Sequence, residues 1–224
     1  MDWPALALSL KLALATAAVL LPLAVALGRW LAFRAFAGKP ALEAFLALPL
    51  VLPPTVLGYY LLVGFAPGST LGRFYQSIVG TTLAFSFEGL LLASIVANIP
   101  FAMQPVQRGF EAVPRDVRDA AWVSGMSPWR ALWRVELPLA WPSVLTAFVL
   151  VFAHTLGEFG VVLMVGGNIP GQTRVASIAI FSEVEALNYQ TASFYSLVLV
   201  ALSFSILFVF YLLNRKTLYD KSLY

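Results

Sequence analysis

The sequence predicts an all-α integral membrane protein, a polytopic bundle of five transmembrane helices with a helical insertion on the cytoplasmic side. Three observations predict it. Hydrophobic residues make up 60% of the 224 and charged residues 11%, against roughly 45–50% and about 25% in soluble globular proteins. A water-soluble domain of this length cannot hide so much apolar surface. Five long stretches also lack Asp, Glu, Lys and Arg, and basic residues gather between alternate stretches.

The first span covers 6–33, with Leu12–Gly28 free of charge. The second covers 42–65, inside the uncharged run Ala44–Gly72, and the third covers 81–106, around uncharged Gly89–Gln107. The fourth, 137–165, opens with uncharged Leu137–Gly157 and continues past Glu158; the fifth, 191–213, lies within Ala186–Asn214. Crossing a hydrocarbon core of about 30 Å takes about 20 residues at ~1.5 Å each, so all five qualify. The apolar run Val175–Ser182 is too short to cross and reads as an interfacial or re-entrant helix in an outer loop of 167–190. The whole chain, 1–224, then forms one transmembrane domain. Met1–Lys11 lacks a basic n-region followed by a small-residue cleavage site, so no cleaved leader is expected. Cysteine is absent, which excludes disulfides and thiolate chemistry.

Basic residues orient the bundle. Arg29, Arg34 and Lys39 flank the first link, Arg108, Arg115, Arg118, Arg130 and Arg134 the third, and Arg215, Lys216 and Lys221 follow the last span. Only Lys11, Arg73 and Arg174 fall on the other side. The positive-inside rule therefore expects an outer N-terminus and a cytoplasmic C-terminus. Lys11 is expected to snorkel at the outer interface, and Trp3, Trp129, Trp133 and Trp141 to sit near interfaces.

Proline interrupts two spans: Pro49, Pro53 and Pro54 in the second, Pro100 and Pro105 in the third. Each removes a backbone donor and kinks or breaks its helix. Ordinary bending accounts for a single proline; a cluster of three suggests a helix shaped around a pathway, where freed carbonyls face protein or water. The segment 108–136 is the one sizeable cytoplasmic insertion. Pro114 suits a first helical turn, Val117, Ala120, Ala121 and Ser124 follow at helical spacing, and Gly125 suits the left-handed position past a helix end. Ser127-Pro128 reads as an N-cap and first-turn proline opening a second helix toward Pro138.

This segment resembles the cytoplasmic signature of permease subunits of bacterial binding-protein-dependent ABC importers. That signature is an acidic residue and two alanines, three residues, a glycine, nine residues, then aliphatic-x-Leu-Pro. Here Asp119-Ala120-Ala121, Gly125, Val135, Leu137 and Pro138 stand at that spacing, with Asp for the usual Glu and Val for Ile. The resemblance implies a coupling helix that docks into a groove of the ATPase, carried by Asp119, Ala120, Ala121, Gly125, the adjoining Met126, Leu137 and Pro138. A helical hairpin that merely caps the bundle is the plainer alternative. Pro49–Tyr59 resembles the second helix of molybdate permeases, and Gly157-Glu158-Phe159-Gly160 with Asn168–Arg174 resembles the end of their fourth helix and next outer loop. Sulfate permeases share related features, and Phe159 with the Asn-Ile-Pro-Gly loop tilts the comparison to molybdate. Some members of the family carry an additional N-terminal span, and none is expected ahead of the first span here.

The implied assembly is a homodimer with two ATP-binding cassette subunits and a periplasmic or lipid-anchored molybdate-binding protein, in the bacterial inner membrane, with no cofactor and no nucleic acid. A tetrahedral dianion in bare hydrocarbon costs tens of kcal/mol by Born-type estimates, so it needs a wet, enclosed route. Pro53, Pro54, Glu158, Asn168 and Arg174 are the candidates for that route and its outer gate. Glu158 reads first as structural, with Arg174 a suggested partner, since a carboxylate repels an anion. Arg174 either meets the binding protein or the incoming ion, or is a solvated charge. His154, the single histidine, reads as a packed, hydrogen-bonded residue. The sequence holds neither G-x-x-x-x-G-K-[ST] nor H-E-x-x-H, which leaves ATP hydrolysis to a partner and disfavours an enzyme. A secondary transporter usually shows more spans and internal repeats. A sulfate, thiosulfate or tungstate importer is the nearest rival.

Overall fold

The structure is a computed structural model that describes residues 2–219, with side chains as far as Leu212; Met1 and Lys221 lie outside the described residues. In chain order the helices are α1 (Trp3–Phe33), α2 (Lys39–Val51), α3 (Pro54–Phe65), α4 (Thr70–Val79), α5 (Phe87–Glu111), α6 (Arg115–Val123), α7 (Pro128–Ala131), a π-helical turn (Leu132–Glu136), α8 (Leu137–Gly157), α9 (Gly160–Gly166), α10 (Ala176–Glu185) and α11 (Tyr189–Tyr219). Among the described residues, four helices are long and apolar enough to cross a membrane: Trp3–Phe33, Phe87–Glu111, Pro128–Gly157 and Tyr189–Leu212. A fifth crossing is reached if the broken pair α2 and α3 counts as one span. In lipid every backbone donor and acceptor must find a partner within the chain, which is why these runs are helical throughout.

The prolines act unequally. Pro22, Pro49, Pro100, Pro105 and Pro142 all remain inside helices. The span read as 42–65 breaks outright at Leu52 and Pro53, the latter extended at φ −53°, ψ 135°. Two successive pre-proline positions are disfavoured in the α region there, whereas an isolated proline imposes only one. The stretch read as 137–165 also breaks, at Glu158 and Phe159, and resumes as α9. In the other direction the hairpin after α5 runs on into the membrane helix: Pro128–Gly157 is continuous through the π turn, in which the Leu137 N–H reaches the Leu132 carbonyl. This wider turn carries the helix past Pro138, whose ring crowds an ordinary i−4 carbonyl. The helix α4 adds an element to those expected from the sequence. Its signals are local: the Ser69 hydroxyl accepts from the Gly72 N–H at 2.8 Å, and Gly80 ends it in the left-handed region. The short apolar run at 175–182 becomes the ten-residue α10.

The chain groups into two compact units, one from Met1–Thr16, Leu52–Ala97 and Phe152–Tyr224, the other from Ala17–Val51 and Asn98–Val151. In the first, Leu57, Phe65, Ala93, Ala97, Val161 and Val165 share one buried cluster, and Leu12, Leu90, Val162, Val175 and Ile178 share another. The Lys11 ammonium lies 4.1 Å over the Phe87 ring. In the second, Phe33 packs edge-on to Phe110 with centroids 6.1 Å apart. Alanines dominate the buried residues, among them Ala13, Ala24, Ala93, Ala102 and Ala147. Lipid is as apolar as leucine, so helices in a membrane gain by close backbone approach, which small residues permit.

Candidate functional site

Two regions gather the candidate residues. The first is the α6–α7 hairpin in the second unit. Pro114 precedes α6 as its N-cap, and the helix ends as the sequence dictates: the Gly125 N–H donates to the Trp122 carbonyl at 2.9 Å and the Met126 N–H to that of Ala121 at 3.2 Å. Gly125 has φ +75°, a conformation costly for any side chain. Ser127 then caps α7, accepting from the Arg130 N–H at 3.4 Å, with Pro128 in the first turn. Ala120 faces out and Ala121 is buried, so the paired alanines serve different surfaces. Leu137 is buried, Met126 half-buried and Pro138 exposed. Asp119 meets Arg115 at 3.8 Å with both side chains largely in solvent, a contact contributing at most about 1 kcal/mol.

Exposed residues of this hairpin mix large apolar side chains with charges, among them Arg115, Asp116, Asp119, Arg130 and Arg134. Val117, Trp122, Val123, Trp129 and Trp133 are all exposed, Val123 at 90%. They sit in a segment that carries Arg115, Arg118, Arg130 and Arg134 alongside Asp116 and Asp119. Large exposed apolar patches ringed by polar residues mark interaction surfaces.

The signature leaves position 136 open, and sequence reasoning gives Glu136 no role. In the structure it is fully buried, at 0% exposure. Arg29, near the end of α1, donates from Nε to one carboxylate oxygen and from a terminal nitrogen to the other, the latter at 3.2 Å. Arg118 of α6 approaches with Nε 3.5 Å from Oε1. That nitrogen is buried and makes no hydrogen bond. The Arg118 guanidinium instead lies over Phe33, 3.4 Å from the ring centroid. The one signal for Glu136 is a lone carboxylate at the mouth of an uncharged span, a placement that is functional by default.

The second region lies in the first unit, where the two helix breaks meet. The half-helices α3 and α9 pack directly on each other. A Cβ on Gly58 would lie 2.8 Å from the Met164 Cβ, and one on Gly160 2.7 Å from the Pro54 Cβ. Pro53 and Pro54 are thus brought to the start of α9, beside Glu158. Glu158 is 7% exposed. Its Oε1 accepts the Val161 N–H at 2.9 Å and its Oε2 lies 3.5 Å from His154 Nε2. From the position just before the N-cap Phe159, the carboxylate accepts one of the free N–H groups in the first turn of α9, where negative charge is favoured. The Glu158–Arg174 pair suggested by the sequence does not form. Arg174 turns to Asp2 at 3.5 Å and to the Asn168 Oδ1 at 2.7 Å, and Asn168 also donates to the Ser182 hydroxyl at 2.9 Å. The reason is local: α9 offers Glu158 a backbone donor three residues on, and Asp2, just before α1, takes the arginine. Buried Thr173 pins the loop, donating to the Gly166 carbonyl at 2.6 Å. Elsewhere in this unit Thr16, Ser94 and Thr155 form a buried hydroxyl chain, at 3.0 and 3.4 Å.

The bond to Val161 assigns Glu158 a distinguishable signature. Glu158→Gln retains an acceptor and is expected to leave thermal stability nearly unchanged. Glu158→Leu removes it and is expected to cost about 1–2 kcal/mol. Thermal unfolding of the detergent-purified chain checks this; equal losses in both variants would show that the charge, not the hydrogen bond, matters.

Known proteins share much of this sequence and architecture. Residues 24–219 match the family described as binding-protein-dependent transport system inner membrane component. The molybdenum transport system permease protein ModB of Azotobacter vinelandii is 44% identical over 214 residues, covering 96% of this chain and 95% of that protein. The protein of the same name from Escherichia coli K12 is 36% identical, covering 82% of this chain and 80% of that one. A probable sulfate transport system permease protein of Chlorokybus atmophyticus is 32% identical, covering 77% of this chain and 60% of that one. Among solved structures, a bacterial ABC transporter involved in the import of the acidic polysaccharide alginate superposes with TM-score 0.78 at 15% identity, covering 95% of this chain and 78% of that one.

Proposed function

This chain belongs to the family of binding-protein-dependent transport system inner membrane components, and from that premise we propose that it is the translocating subunit of an ATP-driven molybdate importer. It is a multi-pass membrane protein of the ABC importer permease kind. The observation that carries the reading is the exposed α6–α7 hairpin, whose solvent-facing residues include Asp119, Ala120 and Gly125 together with Val117, Trp122, Val123, Trp129 and Trp133. A patch of tryptophan and valine among arginines is the surface a partner protein buries. In this reading it docks the ATPase, which supplies the hydrolysis this chain lacks the phosphate loop to perform.

Two copies of the chain and two ATPase subunits complete the assembly, with the N-terminus outside and the hairpin in the cytoplasm. The distribution of basic residues supports that orientation. An extracytoplasmic binding protein delivers the ion; a relative of the same fold was solved with its periplasmic protein bound. The dianion then crosses between the two copies. The packed breaks of α3 and α9 set the outer gate, with the Asn168–Arg174 loop at its rim. Glu158 stays out of contact with the ion, as an acceptor for the first turn of α9.

Molybdate is favoured over sulfate by likeness of the whole chain. The molybdenum permeases are 35–44% identical over 80–95% of their length, whereas the sulfate permeases are 31–33% identical over 60–64% of theirs. Uptake by vesicles holding the full complex decides it. Molybdate and tungstate are expected to enter and to compete, with sulfate excluded at equal concentration. Sulfate uptake that molybdate does not inhibit would reverse the assignment.

A further inference from the structure

The buried carboxylate of Glu136 joins three pieces of chain that the docking surface alone does not explain: the end of α1 through Arg29, the helix α6 through Arg118, and the continuous helix Pro128–Gly157 on which it stands. A carboxylate held by two guanidiniums is a poor source of stability. Desolvating the charges costs several kcal/mol per ion, and well-packed apolar side chains commonly do as well or better. The two arginines are also unequal. Arg29 grips both oxygens with hydrogen bonds. The Arg118 Nε makes none, and Arg118 lies between two cavities, of about 630 and 430 Å³, that share Phe33, Arg118 and Trp122 in their walls. Its guanidinium therefore has a ring to rest on and room to move, while the carboxylate 3.5 Å from it is already satisfied by Arg29. The π turn fixes the angular position of Glu136, and such turns are frequent at functional sites.

We infer that Glu136 is a positioning residue for energy coupling, and that Arg118 is the arm through which displacement of α6 reaches the membrane helices. The inference rests on the importer reading above. When the ATPase moves α6, Arg118 travels with it, immediately before Asp119 in the docking helix. Closing the 3.5 Å gap to a full hydrogen bond, or opening it, changes the load on Glu136. The unbroken helix that carries Glu136 transmits the change, and Arg29 keeps the carboxylate compensated in both positions. This gives the joint two arrangements with different contacts, which an element of a coupled transition requires.

The test uses the complete importer in vesicles, measuring ATP hydrolysed per molybdate delivered, and the amount of ATPase that co-purifies. Arg118→Gln is the informative variant, because Arg29 still satisfies Glu136 and the fold is kept. ATPase recovery is expected to stay within about twofold, while ATP consumed per molybdate rises about tenfold. Arg118→Lys restores the charge but not the planar group over Phe33, and is expected to return the ratio only part of the way from Arg118→Gln to wild type. Glu136→Gln is expected to raise the ratio as Arg118→Gln does; where its yield is too low, the two arginine variants decide alone. A lower yield of complex with an unchanged ratio would mean a purely structural ion pair and overturn the inference. If the wild-type chain brings down no ATPase, the importer reading falls, and this inference with it. If the wild type couples and Arg118→Gln couples equally well, only this inference falls.

Discussion

Ala120→Arg is expected to abolish ATPase docking while leaving the membrane fold intact. Ala120 is exposed on α6, three residues from exposed Val117 on one side and exposed Val123 on the other, which places the three on one side of the helix. A long cation at this exposed position can stay in solvent in the isolated chain, so folding is not penalised. In a docked complex it must be buried or must hold the partner away. Losses of about 2–4 kcal/mol are typical of a central interface position, a fall in affinity of roughly thirty- to a thousandfold. Co-purification of the ATPase and molybdate uptake should fall together, with unchanged detergent-state melting. Ala35→Arg, also exposed but in the link after α1, serves as control and is expected to be silent. Docking and uptake that both survive Ala120→Arg would remove the hairpin from the coupling mechanism. Ala121 is unsuitable for this experiment despite its place in the same signature. It is 4% exposed, so enlarging it disrupts the hairpin itself.

Gly58→Val is expected to be strongly damaging, because it strikes the contact between the two half-helices α3 and α9. The added Cβ meets the Met164 Cβ at 2.8 Å and the Val161 Cα at 3.2 Å, and neither can swing aside because both belong to the α9 framework. Forcing extra carbons into a packed contact costs about 1–3 kcal/mol, and a rigid neighbour puts this case at the upper end. The melting temperature should fall by about 5–10 °C. Uptake should fall further than stability alone requires, because the α3–α9 contact holds both helix breaks. Gly64, on the same helix, has open space around it. Gly64→Val is expected to be tolerated, which separates the contact from any general intolerance of valine in α3. Equal melting of the two variants would refute the close-packing account.

Local signals make several elements legible in the sequence. The uncharged runs at Leu12–Gly28, Gly89–Gln107, Leu137–Gly157 and Ala186–Asn214 all lie largely or wholly within long helices. The Ser127-Pro128 cap and the left-handed Gly125 are readable because capping depends on residues within a few positions of one another. The helix α4 carries signals of the same kind, Ser69 and Gly80, but its ten residues are too few and too polar for a search for spans to notice. Glu136 is not legible, because the signature defines its neighbours and says nothing of Arg29, whose distance along the chain is 107 residues.

The sequence by itself determined that this chain lives in a membrane, where its long helices lie, and that a helical hairpin of importer type interrupts them. Those properties follow from hydropathy, charge placement and capping, each set by residues close in the chain. Only the tertiary structure decided which proline pair breaks a span, that the hairpin is continuous with the following membrane helix, that Glu158 accepts from the first turn of α9 instead of pairing with Arg174, and that Glu136 gathers two arginines. Each of these depends on which donor, acceptor or surface is nearest in space. A side chain settles on the partner that satisfies it with least desolvation, and sequence distance carries no information about that choice.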